Sequence, residues 1–360
     1  MRVICGHILI QRFFDVADQI DLHEAKKILA ASGFSIFHAH TSRHAVQPYP
    51  PLEATLGPRP SGVPQADPLP ATVRFYAVGT LVVTFILPLR NPTPPSELIE
   101  LGQRILDHER AITECARPIA QELFQVVATA CTPGEESAFL EDYTVFVISE
   151  TDPSCDAAAF AAHLDIPRLL LGEPGQISAP EREHIMRHRF SYYPDELVVI
   201  DWNSALVYDP RSAPDVPNIL EIATSQLLGL RAYDNMVGRA LDRLYAELEP
   251  FKQNVLVNAS SRYQKLSRRI MQLYIDVTEM TERIEASLEF WGDTWLARIH
   301  RAAVNAFDIP RWQRHLHEKL QVLGQINTHL VDQITTRRGL TAEYAIIILI
   351  ILEILLAIGH

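Results

Sequence analysis

The hydrophobic positions of this chain change their spacing along its length, and those changes divide it. The opening MRVICGHILIQRFFDV is apolar with few breaks and reads as a buried strand. A short helical pattern follows at Leu22–Ala30, with Asp21 placed to cap its N-terminus. Residues 47–70 are dense in proline, which removes backbone donors, so a loop or semi-rigid linker is expected there. The stretch ATVRFYAVGTLVVTFILPL is β-branched and aromatic, and two strands are expected to meet near Gly79. Ser96 is expected to cap a long helix with Glu97 and Glu100 in its first turn. Its apolar face is Leu98, Leu101, Ile105, Ile112, Ile119, Leu123 and Val126, and Pro118 should kink or end one segment. Tyr143–Ser149 reads as a strand and Asp156–Leu164 as a short helix. Glu196–Ile200 and Ala205–Tyr208 read as strands joined through Asp201-Trp202-Asn203-Ser204.

Past Asp209-Pro210 the spacing becomes helical. Asp215 caps a helix with Pro217 in its first turn. One stripe runs Ile219, Ala223, Leu227, Leu230, Val237, Leu241, Leu244 and Leu248, interrupted by Asp234. A second runs Leu266, Ile270, Leu273, Val277, Met280, Ile284 and Leu288, and a third Leu316, Leu320, Leu323, Ile326, Leu330 and Ile334. Helices of this length suggest a helical hairpin or coiled-coil-like packing. The expected fold is therefore α+β: an N-terminal α/β region, long α-helices, and a C-terminal transmembrane helix. The expected divisions are 1–46, the linker 47–70, an α/β domain 71–210, a long-helix domain 211–339, and 340–360.

That last segment, from Leu340 to Gly359, would extend roughly 30 Å as a helix, the thickness of a hydrocarbon core. Arg337 and Arg338 precede it, Glu343 and Tyr344 mark its entrance, and Glu353 divides its apolar run. The positive-inside rule then puts the N-terminal bulk in the cytoplasm, with one pass through the membrane and lipid as a partner. The competing reading is a very apolar core helix in a soluble oligomer. Glu353 would face other helices, as an assembly contact, as an ion-handling group, or simply as a protonated carboxyl hydrogen-bonded to a neighbouring helix.

Composition narrows the function classes. Hydrophobic residues make up 48% of the chain, enough for a core, and the net charge of -12 disfavours broad nucleic-acid binding. Cys5, Cys115, Cys131 and Cys155 form no CxxC pair. His38, His40 and His44 lie close together, but no acid or cysteine nearby completes a ligand set. His184 and His188 are four apart without the adjacent glutamate of HExxH. Cys155 at a helix start lacks a basic partner, and Asp201, Trp202 and Asn203 could line a pocket or simply form a turn. Arg262, Lys265, Arg268 and Arg269 form the clearest basic patch, for RNA, a ribosome or anionic lipid, or merely a solvated helix face. No phosphate-binding glycine loop or nucleophile elbow occurs. Neither a cofactor nor a metal site is expected.

Three patches resemble the RMD1/RMND1 family, also called the DUF155 family. They are Phe290-Trp291-Gly292-Asp293-Thr294-Trp295-Leu296, then Ile309-Pro310-Arg311-Trp312 through Glu318-Lys319-Leu320, and finally Arg338, Glu343-Tyr344, the Ile/Leu run and Glu353. Gly292, Ala342 and Tyr344 depart from the residues relatives tend to carry. The resemblance covers roughly the last 150 residues. It implies a membrane-associated, non-catalytic scaffold or adaptor, homo-oligomeric, most like a relative in a bacterial cytoplasmic membrane, with a protein or ribosome partner. The alternative is an ion or solute pathway in which copies of the terminal helix, each carrying Glu353, surround a pore.

Overall fold

The computed structural model describes residues 1–38, 50–90, 92–133, 139–211, 214–248, 264–272, 274–275, 277–278 and 294–358. The chain forms two compact units: Met1–Ala232 with Arg283–Trp312, and Tyr233–Glu282 with Gln313–His360.

The first unit is built on a nine-stranded sheet. Its strands are β1 (Arg2–Asp15), β3 (Ser35–His38), β4 (Leu52–Arg59), β5 (Leu69–Phe75), β6 (Thr80–Pro88), β8 (Leu140–Asp152), β9 (Arg189–Phe190), β10 (Leu197–Ile200) and β11 (Ser204–Tyr208). They lie in the order β3-β4-β5-β6-β1-β8-β11-β10-β9, and β2 (Gln19–Ile20) pairs with β7 (Cys131–Thr132) apart from them. Neighbours are antiparallel except β8 and β11, which run parallel because helices intervene between them. β1 lies inside the sheet with a neighbour on each side, which explains its nearly continuous apolar run.

One face of the sheet carries α1 (Leu22–Ala31), α2 (Pro95–Asp107), α3 (Glu109–Val127), α4 (Ala157–His163), α5 (Ile166–Leu171) and α6 (Ala179–Arg187). Ile8, Ile10, Val73, Phe85, Phe146 and Leu206 share a continuous core with Leu29, Leu98, Ile112, Leu123, Phe160 and Leu169. On the other face lie the first turns of α7 (Asp215–Leu248) and α8 (Thr294–Ala306), where Glu221 of α7 reaches Gln11 and Phe307 meets Tyr143 edge-on at 5.2 Å.

Local signals account for several boundaries. Asp21 accepts from the His23 and Glu24 amides, and Asp156 from that of Ala159, so both helices begin where a capping carboxylate stands. Gly79 has φ +83, and an added Cβ would sit 1.7 Å from the Ala17 carbonyl oxygen, so the β5–β6 turn requires glycine. Three expectations need correction. The proline-dense 47–70 contains β4, a hydrogen-bonded strand; its register shifts between Leu56 and Pro58, so the proline falls at an irregularity where a missing donor is tolerated. Ser96 is not the cap of α2, which starts at Pro95 with no side-chain cap. Pro118 ends nothing: α3 runs through it, and the break falls at His108 between α2 and α3.

The second unit is helical. Residues 264–272 are helical, as are the later turns of α7 and the bulk of α9 (Ile309–Ile358). Its core includes Val237, Leu241, Leu244, Leu266, Ile270, Val277, Leu316, Leu320 and Leu323, drawn from the three expected stripes. Asp234, which interrupts the first stripe, is ion-paired with Lys319 at 2.8 Å, and Lys319 also donates to the Asp234 carbonyl. Ser267 donates to Asn327 at 2.6 Å.

The expected single-pass membrane helix is overturned. Among the described residues no helix is long and apolar enough to cross a membrane. The third stripe and the terminal segment belong to one uninterrupted helix, α9, with no break at Arg337, Arg338, Glu343 or Tyr344. The apolar stretch within it is short. Ala345 to Leu352 covers roughly 12 Å and Ala345 to Ile358 roughly 21 Å, with Glu353 inside, against about 30 Å of hydrocarbon.

Candidate functional site

Two polar constellations flank β1, one on each face of the sheet, because Gln11 and Arg12 are adjacent and successive side chains point opposite ways. Both are buried inside an otherwise apolar strand.

On the α1–α6 face, Arg12 is fully buried. Its Nε donates to Thr113 Oγ1 at 3.0 Å and its Nη1 to the Gln11 carbonyl at 2.8 Å, while Nη2 is buried without a partner. Burial lowers its pKa, and the charges of Asp142 and Glu109 work against that. Asp142 stands opposite Arg12 in the β1–β8 register. Asp142 and Glu109 line a cleft with Thr144, Asn203, Ser204 and Gly102, where α2, α3, α5 and the β10–β11 turn meet the start of β8. The free space is about 20 Å3, room for a water-sized group. Burial, and then the charge of Asp142, raise the pKa of Glu109, and Arg12 partly offsets them. Asn203 offers a buried side-chain oxygen with no partner, while the Ser204 hydroxyl is committed to the Leu170 carbonyl at 2.9 Å. This cleft can hold a proton or a very small polar group, and its Ser204 hydroxyl is already engaged.

On the opposite face, Glu221 of α7 is 2% exposed and is surrounded by donors. Gln11 Nε2 at 2.7 Å and Arg74 Nη1 at 3.0 Å reach Oε2, and the Tyr76 hydroxyl reaches Oε1 at 2.7 Å. Arg74 also donates to Glu53 at 2.8 Å and Asn218 at 2.8 Å. Burial and the neighbouring Glu221 charge raise the Tyr76 pKa well above its usual value, so Tyr76 stays a donor. The network ties α7 to β1, β4 and β5, a packing role that fixes how the helix enters the body.

The second unit carries a different feature. Ile346, Ile347, Ile348, Leu349 and Ile350 of α9 are each between 50% and 65% exposed. Five consecutive helical residues point all round the helix axis.

Other expected site residues are dispersed. Leu296 and Leu320 are buried core residues, and Trp312 lies over the Arg231 guanidinium at 5.4 Å. Trp291 and Asp293 lie outside the described residues. Arg337, Arg338, Glu343, Tyr344 and Glu353 fall within α9 and are described at the level of its backbone. His184 and His188 are edge-to-face at 5.7 Å. Both lower the pKa of Asp201, which burial raises more strongly. Among the described residues no group of three or more His, Cys, Asp or Glu side chains is placed to hold a metal; His40 and His44 lie outside them. Cys155 has Thr151 Oγ1 at 3.5 Å. Lys265, Arg268 and Arg269 are exposed, and Arg262 lies outside the described residues. Gln11, Arg12, Arg74, Tyr76, Glu109, Asp142 and Glu221 escape a reading by motif. The one signal is placement: a Gln-Arg pair inside ILIQRFF, and a Glu between Leu220 and Ile222, where apolar neighbours demand buried partners.

Comparison with known proteins gives this chain a family and a relative. Residues 5–215 match the family described as "Uncharacterized protein MJ0711, N-terminal domain". The chain is 24% identical over 243 residues to "Uncharacterized protein MJ0711" of Methanocaldococcus jannaschii, spanning 67% of this chain and 73% of that protein.

Proposed function

The chain belongs to the MJ0711 family, and from that premise we propose that it is a non-catalytic, homo-oligomeric scaffold in which the helical second unit is used for self-assembly. The observation that carries this reading is the exposed Ile346–Ile350 stretch of α9. A helix that is apolar on every side is stable in water only when enclosed. Enclosure by other helices meets that requirement, and copies of the same chain supply matching stretches by symmetry. Each half-exposed Ile or Leu stands to gain about 1 kcal/mol on burial, so roughly 5 kcal/mol per copy is at stake before association costs.

The likeness of the C-terminal third to the RMD1/DUF155 family is part of this proposal. It rests on Trp291, Asp293, Leu296, Trp312 and Leu320 in the sequence, with Arg338, Glu343, Tyr344 and Glu353 in the terminal segment. The ion-pathway alternative is not carried forward, since it needs a membrane-crossing helix.

The test is co-purification of two differently tagged full-length copies in detergent-free buffer. Wild-type copies should capture one another, and Ile347→Glu with Leu349→Glu should abolish capture while preserving the helical circular-dichroism signal. Capture unaffected by the two glutamates overturns the proposal.

A further inference from the structure

Arg231, on α7 near the end of the first unit, is held by three segments at once. Its guanidinium carbon stands 5.8 Å from the ring centroid of Phe139, just before β8, and 5.4 Å from that of Trp312 in the first turn of α9. Its Nη1 donates to Glu141 Oε1 at the start of β8 in a short ion pair, and its Nε is buried without a partner. Arginine suits this place because its flat cation stacks on aromatic faces while its edge donates to a carboxylate. Glu141 belongs to neither the cleft nor the Glu221 network.

We propose that Glu141 and Arg231, flanked by Phe139 and Trp312, form a proton-operated latch that fastens α7 and the start of α9 to the beginning of β8. Among the described residues the charges around Glu141 are few. Arg231 reaches it from α7, and Asp142 is its neighbour on β8, with its side chain on the other face. β1 places Phe13 opposite it, flanked by Arg12 on the far face and followed by Asp15. At the start of α9, Asp308 and Arg311 pair with each other at 3.6 Å.

Burial is the largest influence on Glu141 and raises its pKa to about 7 from 4.5; Arg231 lowers it and Asp142 raises it. The fastened state therefore binds the proton more tightly than a state in which α7 has lifted and Glu141 meets water. Linkage then fixes the sign: fastening is strongest below the exposed value and weakens as pH rises toward the buried one. Proton and arginine together satisfy a carboxyl that burial disfavours as an anion. Above neutrality the latch holds a buried carboxylate whose desolvation Arg231 only partly offsets. The fastened-to-lifted ratio should fall by as much as about a hundredfold between pH 5 and pH 8.

The test is hydrogen exchange by mass spectrometry on the full chain, corrected for the intrinsic pH dependence of exchange. Amides around Arg231 and residues 139–143 should lose protection, tenfold or more, with a midpoint near pH 7. Glu141→Gln keeps an acceptor for Arg231 without a titrating proton, so it should stay protected across the range. A flat wild-type profile, or the same midpoint in Glu141→Gln, overturns the latch. Should that variant fail to fold, carboxyl-carbon NMR of wild-type Glu141 serves in its place: a midpoint near 7 supports the latch, and one below 5 overturns it.

Discussion

Replacing Glu221 by alanine tests whether the buried network, rather than apolar contact alone, fixes α7 on the sheet. Glu221 accepts from Gln11, Arg74 and Tyr76 at 2.7, 3.0 and 2.7 Å. Its removal strands the Tyr76 hydroxyl and the Gln11 amide, each at about 1–3 kcal/mol, and takes one of two carboxylates from Arg74. Glu53 and Asn218 still hold Arg74 at 2.8 Å each, so the charge is weakened rather than orphaned. Breaking a buried ion pair costs about 3–5 kcal/mol, and these losses overlap because the groups share one acceptor. The expected total is about 4 kcal/mol. Glu221→Gln keeps one oxygen and should lose about 2 kcal/mol. Urea unfolding followed by circular dichroism gives both values. A double-mutant cycle with Arg74→Met should show a coupling of at least about 1 kcal/mol. A loss below about 1 kcal/mol for Glu221→Ala, or no coupling, would refute the argument and leave apolar packing as the whole explanation.

Three further outcomes follow from individual positions. Gly79→Ala forces a Cβ onto the Ala17 carbonyl at positive φ, so it should destabilise by more than about 3 kcal/mol and lower soluble yield. Pro118 interrupts the hydrogen-bond ladder inside α3 and is exposed; Pro118→Ala should stabilise by about 1–3 kcal/mol, read as a melting point several degrees higher. Burial and Arg301 hold the His300 pKa down at about 4, against 6.5 unfolded. That stability is intact above pH 6.5 and is lost as pH falls toward 4, by roughly 2–3 kcal/mol. His300→Gln should flatten the decline; identical acid profiles in wild type and variant would contradict the assignment.

The legible part of the fold is the part set by neighbours in sequence. Asp21 and Asp156 cap helices, Gly79 turns β5 into β6, and Asp201-Trp202-Asn203 separates β10 from β11, each by chemistry contained within a few residues. The apolar stripes of α7 and α9 likewise mark the helical core. Features set by distant partners were hidden. β4 accommodates Pro58 at a register shift beyond the reach of β3, which pairs only Leu52 to Thr55, while β5 pairs along its length, and no local pattern announces those partners. Gln11 meets Glu221 across 210 positions, and Arg231 meets Glu141 across 90, so neither pair leaves a spacing to read. The terminal Ile/Leu run misled for another reason. Local apolarity was conspicuous, but spanning depends on length, and the stretch is too short.

The self-assembly claim is tested most directly by sedimentation equilibrium of the full-length chain in detergent-free buffer. A mass at an integral multiple of the 40.6 kDa chain, falling to one chain with Ile347→Glu and Leu349→Glu, is the predicted result. A single 40.6 kDa species for the wild type, unchanged up to high micromolar concentration, would contradict it.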